Sequence, residues 1–288
     1  MTLVLPKFSA NSFLCDVRAY DVDGDSRVRP SDGESPLDVV AVTVAESGKP
    51  KVHSGIQVLG DEVVAFGIPV YRDGRVVSVV VVAAKMTNDL LGVFEVWTPV
   101  GTYEEVRLTD GYFAGLERFQ NVSSFIRFEK GLGLPGQVWE TQRSTIHDNL
   151  PNHPGFLRSA GASAEDLQVA IGIPVAAEEL IGVAVLMSAM STPMAQGFEV
   201  WQSSSEGFRL DQASYSGLSL DLQLTVGTKL SANSGLPGLA AEHGGASTTE
   251  NETFLYAGRS GNPEGLAGAL AIPFYQQDKL TSVTALLF

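Results

Sequence analysis

The chain has 288 residues, 44% of them hydrophobic and 18% charged, with 33 acidic against 19 basic side chains and a net charge of −14. That balance fits a folded globular chain and repels phosphate backbones, which speaks against nucleic-acid binding, and no apolar run reaches the about 18 residues of a membrane-spanning helix. A single cysteine, Cys15, excludes an intrachain disulfide and a cysteine-based metal centre; Met1 to Lys7 lack a signal-peptide pattern, so the expected compartment is the cytoplasm.

One passage occurs three times. Val63-Val64-Ala65-Phe66-Gly67-Ile68-Pro69-Val70 returns as Gln168-Val169-Ala170-Ile171-Gly172-Ile173-Pro174-Val175, and again as Ala267-Gly268-Ala269-Leu270-Ala271-Ile272-Pro273-Phe274. The prolines stand 105 and 99 residues apart. A period near a hundred is that of a small domain rather than a solenoid repeat. The expected boundaries are 1–91, 92–196 and 197–288, with the first copy degenerate.

In chain order, Asp21 to Asp25 reads as a hairpin tip, and Val76 to Ala84, almost all Val and Ala, as a buried strand. Gly92 to Thr98 alternates Phe94 and Val96 against Glu95 and Trp97, which predicts a half-buried strand; Pro99 to Thr102 supplies a turn, and Glu104 to Leu108 a returning strand. Leu116, Phe119, Val122, Ser123 and Ile126 fall at helical spacing. Leu134 to Glu140 predicts a short helix with proline near its start. Thr145 to Asp148 is a short strand, and Phe156 to Ala160 is helix-like. Val169 to Val175 and Leu180 to Met187 form a strand pair. In the third copy Phe198-Glu199-Val200-Trp201 and Gly235-Leu236-Pro237-Gly238 repeat landmarks of the second.

Gly131-Leu132-Gly133-Leu134-Pro135-Gly136-Gln137-Val138-Trp139-Glu140-Thr141, then His147-Asp148, then Ala170 to Val175 and Gly182 to Leu186, resemble the ordered segments of the GAF family, a relative of the PAS fold. The resemblance covers nearly all of the second copy and most of the third. In the first it rests on Glu46 to Pro50 and the closing strands. It implies an α+β fold of tandem GAF/PAS-like units, each a central antiparallel sheet with flanking short helices. One departure is large, because the long terminal helices of the family have no room in Lys85 to Leu91 or in the roughly ten residues after Met187. An apolar sheet face is left to be covered, and leaving it wet costs roughly 25 cal/mol per Å². The expectation is that the units pack on one another, or on a second chain, through those faces.

The family binds small molecules between the sheet and the segment before the closing strands. Carried onto this chain, that segment holds Asp148, Asn149, His153, Phe156 and Arg158 in the second copy, and Glu250, Asn251, Phe254, Tyr256 and Arg259 in the third. An acid, an amide, aromatics and an arginine suit a small polar ligand with one anionic group; the alternative is a polar surface loop. The first copy lacks this segment and is expected to be structural. His147, Asp148 and His153 invite a metal reading, weakened by Thr249 in the third copy, where the first has His53. Asp21-Val22-Asp23-Gly24-Asp25 with Asp32 only superficially resembles a calcium loop, because Ser26 stands where glycine is required. No metal or cofactor is expected. Sulfoxide reductases of the family need several cysteines, and Cys15 lies in the wrong place for pigment attachment. Trp97 and Trp201 read as core or interface side chains. The expected function is a non-catalytic small-molecule sensory module acting through a partner protein. The alternative is a ligand-free scaffold or protein–protein assembly module, with surface apolar residues near Met190, Met194 and Trp201 governing assembly.

Overall fold

A computed structural model describes residues 8–9, 11–29, 35–87, 89–261 and 265–288; Met1 to Lys7 and Asp32 lie outside these residues. The described chain forms three antiparallel sheets. The first contains β1 (Leu14–Val22), β2 (Val28–Arg29), β3 (Lys51–Val58), β4 (Asp61–Arg72) and β5 (Arg75–Lys85), in the order β2-β1-β5-β4-β3. The second contains β6 (Gly92–Pro99), β7 (Glu105–Tyr112), β8 (Arg127–Glu129), β9 (Thr145–His147), β10 (Leu167–Ala176) and β11 (Leu180–Ala189), ordered β8-β7-β6-β11-β10-β9. The third repeats that order as β14-β13-β12-β17-β16-β15, from β12 (Gly197–Ser204), β13 (Gly207–Tyr215), β14 (Lys229–Leu230), β15 (Ser247–Thr249), β16 (Ala269–Gln276) and β17 (Lys279–Leu287). Helices are short: α1 (Asp38–Ser47) in the first unit; α2 (Glu117–Phe125), α3 (Gly133–Thr141) and α4 (Ser159–Ala164) in the second; α5 (Gly235–His243) and α6 (Glu252–Leu255) in the third. None among the described residues is long and apolar enough to cross a membrane.

Each sheet is buried on both faces, which is why its closing strands are continuous apolar runs. One face of all three sheets meets in a single core. Phe66, Ile68, Val80 and Val82 come from the first sheet, Phe94, Ile171, Ile173 and Leu186 from the second, and Phe198, Leu270, Ile272 and Leu286 from the third. The threefold passage is explained here. Ile68-Pro69-Val70, Ile173-Pro174 and Ile272-Pro273-Phe274 line one cavity of about 10 Å³, no more than a single water needs. The face left bare by the missing long helices is therefore covered within the chain.

The three units join head to tail. The backbone N–H of Val52 donates to Asp110 Oδ2 (3.0 Å), and that of Ile146 to Gln212 Oε1 (2.8 Å). The ring closes where Ala246 N–H donates to Ser78 Oγ (2.9 Å) and His243 pairs with Asp21 (2.9 Å). Each edge strand β3, β9 and β15 thus leans on the neighbouring unit, a heterologous contact that closes after three steps.

The opposite face of each sheet carries a helix. At Gly67 and Gly172 an added Cβ would stand 2.5 Å from Val44 of α1 and 2.7 Å from Val138 of α3. The third unit has Ala271 there, opposite Ala240 of α5 in the same cluster. The volume lost from the helix is returned to the strand, as close packing requires.

Two sequence expectations need correction. Gly92 to Thr98 is not half-buried, since Glu95 and Trp97 lie under the helices while Phe94 and Val96 face the shared core. Met194 and Trp201 are buried too, leaving only Met190 exposed; the linker is pinned by Met194 N–H to Ser188 Oγ (3.0 Å) and by Thr192 bonded to Leu91. The Asp21–Asp25 tip is a turn held by Asp23, whose Oδ1 accepts from the N–H groups of Asp25 and Arg27 (both 3.0 Å). Its carboxylate is thereby occupied rather than offered to a cation.

If the shared core carries the fold, Ile272→Ala costs about 2–5 kcal/mol, the range for a truncated buried aliphatic residue. Urea unfolding checks this; a change within error would remove Ile272 from the core.

Candidate functional site

The space between sheet and helices in the second unit is organised by Glu95. It is fully buried, and Arg158, 3% exposed, reaches it from the segment before α4. Arg158 Nη2 donates to Glu95 Oε2 (2.9 Å), Nη1 donates to Glu95 Oε1, and Nη1 also reaches Ser123 Oγ (2.6 Å). Trp97 Nε1 donates to Glu95 Oε2 (2.8 Å). Four rings surround the guanidinium: Phe119 at 4.7 Å, Trp97 and Phe156 at 5.3 Å and Phe128 at 5.7 Å. A bidentate ion pair enclosed by aromatic faces satisfies the charge that burial would otherwise penalise.

The third unit builds the same device independently. Arg259 Nη2 donates to Glu199 Oε1 (2.7 Å), and its Nη1 and Nε are spent on the carbonyls of Leu222 (2.6 Å) and Leu255 (2.9 Å). Trp201 Nε1 donates to Glu199 Oε2 (3.0 Å) and the Tyr215 hydroxyl to Oε1 (2.7 Å). Burial, and then the adjacent Glu199, push the Tyr215 phenol upward, so it stays a neutral donor.

The ten residues expected to hold a ligand do not converge. Asp148 and Asn149 are exposed on a turn, with Asn149 at φ +50°, and Glu250 and Asn251 are exposed as well. Asn251 caps α6 by accepting from Thr253 N–H (2.9 Å). Phe156 is buried against Arg158, while Phe254 packs on the third unit's core. Tyr256 OH accepts from Leu266 N–H (2.9 Å). Only Arg158 with Phe156, and Arg259 with its carbonyl partners, reach the interior. Their acidic partners, Glu95 and Glu199, were missed. The available signal was the repeated Phe-Glu-Val-Trp, a carboxylate two residues before a tryptophan in both copies.

His153 stacks on His147, with ring centroids 3.9 Å apart. His147 is 1% exposed; its Nε2 faces Gln137 Oε1 at 2.8 Å, and its Nδ1 is buried without a partner. Burial, and then His153, lower the His147 pKa to about 3. Among the described residues no three His, Cys, Asp or Glu side chains gather as metal ligands. Burial, with help from Asp16, raises the Cys15 thiol to about 11, which leaves it protonated and unreactive at neutral pH.

Comparison with known proteins finds no matching family model and no matching curated protein. Among solved structures, 34% of the chain is similar to the GAF domain of A. aeolicus nlh2 in an inactive state, at 19% identity, over 58% of that chain, with a TM-score of 0.28. A 36% stretch is similar to the GAF domain of a phosphoenolpyruvate-protein phosphotransferase from Coxiella burnetii, at 24% identity, over 60% of that chain, with a TM-score of 0.30. A 35% stretch is similar to free methionine-R-sulfoxide reductase from Neisseria meningitidis, at 16% identity, over 53% of that chain, with a TM-score of 0.26. The chain thus spans little more than half the length of each.

Two outcomes are expected. Arg158→Ala strands a buried carboxylate and lowers stability by about 3–5 kcal/mol, and millimolar methylguanidinium restores part of the loss; a variant as stable as the parent would mean that the pair is not enclosed. The second concerns pH. In the folded chain His147 is neutral far below the ordinary histidine value of 6.5, whereas the unfolded chain takes up a proton there. Stability is therefore full above 6.5 and falls as pH drops from 6.5 towards 3. In unfolding curves His147→Gln flattens the His147 contribution; an unchanged slope would contradict the assignment.

Proposed function

We propose that the chain is a non-catalytic assembly scaffold, a protein–protein module whose second and third units keep the GAF-like form but fill their own interior. One observation carries the reading: the groups that would meet a ligand, Arg158 and Arg259, are bonded to the chain's own buried Glu95 and Glu199. A ligand with an anionic group would have to displace a carboxylate already held in place. The protonated Cys15 thiol offers no nucleophile. The outer surface of the second unit supplies a contact region instead. Val122 and Phe125 of α2 are 49% and 88% exposed, and Leu157, next to the Arg158 that reaches Ser123 of α2, is 59% exposed. The partner in this reading is an effector protein or a further copy of the chain.

A second reading, a small-molecule sensor, is favoured by the way both arginines ride on segments whose leading residues, Asp148 and Glu250, are exposed; a competing anion could draw the arginine out. Native mass spectrometry separates the two. The scaffold reading expects the mass of the natively purified chain to equal its denatured mass. A retained small molecule that is lost on Arg158→Ala or Arg259→Ala would replace it with the sensor.

A further inference from the structure

The geometry points to a docking groove at one end of the ring for an extended, arginine- or lysine-bearing segment of a partner protein. Each closing strand pair ends in a turn there: Asp73–Gly74 between β4 and β5, Ala177–Glu179 between β10 and β11, and Gln277–Asp278 between β16 and β17. Residues of all three turns line one open groove of about 1260 Å³. Ala176 and Phe274 line both this groove and the small cavity at the Ile-Pro pairs, so the two adjoin. No single unit could form the groove; it exists only in the closed ring.

Two of the turns are tied together. The Asp73 N–H donates to the carbonyl of Gln277 (2.9 Å), both residues standing at positive φ (+50° and +57°). Arg72 Nε donates to Asp278, and the guanidinium lies 5.2 Å from the centroid of the Tyr275 ring. The β10–β11 turn closes on itself instead, with the Ala177 N–H on the Glu179 carbonyl (3.1 Å), and no hydrogen bond among the described residues joins it to the other two. The groove opens along that unbonded side.

Asp278 is held by Arg72, but Asp73 and Glu178 are exposed, and their carboxylates meet no partner among the described residues. Against them stands Lys279, so the lining keeps an excess of negative charge within a chain of net −14. Tyr275 adds a second kind of group. It is 5% exposed and lines the groove; its hydroxyl makes no hydrogen bond among the described residues, yet is not one of the enclosed, unpartnered atoms. A hydroxyl on a buried ring that stays open on one side is placed to meet an incoming backbone carbonyl or amide. The volume exceeds the roughly 300–1,000 Å³ of small-molecule sites, so a stretch of polypeptide fills it better. Cationic side chains answer the two carboxylates, and the peptide backbone answers Tyr275. The occupant is a protein, as in the scaffold reading on which this rests; native mass judges that reading, whereas the assay below judges the groove alone.

The test titrates the full chain into a fluorescein-labelled hexapeptide of alternating arginine and glycine and follows anisotropy at about 0.15 M salt, where distant charges are screened. Binding saturates at one site per chain. Glu178→Gln and Asp73→Asn each weaken it about tenfold, the loss of one charge-assisted hydrogen bond; asparagine tolerates the positive φ at position 73. Tyr275→Phe keeps the ring and its packing and weakens binding about threefold. Glu117→Gln, which removes the same charge from the exposed start of α2, leaves the affinity unchanged. Equal losses in Glu178→Gln and Glu117→Gln would reduce the binding to the net charge of the chain and overturn the proposal, as would no saturable binding, or an affinity untouched by all three groove variants. Arginine amide binding as tightly as the peptide would assign the groove to a small cation and overturn it likewise.

Discussion

Everything else in this structure depends on three sheet faces burying one another. A sheet with helices on one side needs its other apolar face covered, and among the described residues no long terminal helix does so. Three such faces solve the problem mutually. The three sheets meet around the Ile-Pro pairs Ile68-Pro69, Ile173-Pro174 and Ile272-Pro273, which line one small cavity, and proline's fixed backbone geometry and lack of a donor suit a place where sheets meet without pairing. The edge strands β3, β9 and β15 are then each committed to a neighbouring unit, so the head-to-tail contact closes on itself.

That commitment explains how the other face could change its role. Once stability comes from a common core, the interior under the helices of any one unit is free to vary. In the second and third units it holds a buried glutamate and arginine with tryptophan and further partners. Such a pair stabilises little compared with well-packed apolar residues, and it punishes loss of either partner. Its value lies in fixing where the segment before the closing strands sits, since each arginine ties that segment to the sheet. The first unit lost the segment and carries Arg18 at the register position of Glu95 and Glu199, a consistent pair of changes, because an unpartnered buried glutamate at position 18 would have been left behind.

Much of this was legible in the sequence. Repeated landmarks gave the strand and helix order, and α2, α3, β9, β10 and β11 fall where spacing and proline placement put them. The gap lengths around Lys85 to Leu91 and after Met187 showed that the sheet faces needed another cover. Two things were not legible, each for a physical reason. The alternation of Phe94 and Val96 with Glu95 and Trp97 looks like one wet face, because pattern alone cannot distinguish a solvated carboxylate from one neutralised by an arginine 63 residues away. Met194 looked exposed by its linker position, yet tertiary contacts bury it.

The central claim is that the three sheets are one cooperative body rather than three beads. Differential scanning calorimetry of the full chain tests it directly. A shared core predicts a single transition whose van't Hoff and calorimetric enthalpies agree. Two or three resolved transitions, or a van't Hoff enthalpy near a third of the calorimetric one, would contradict it.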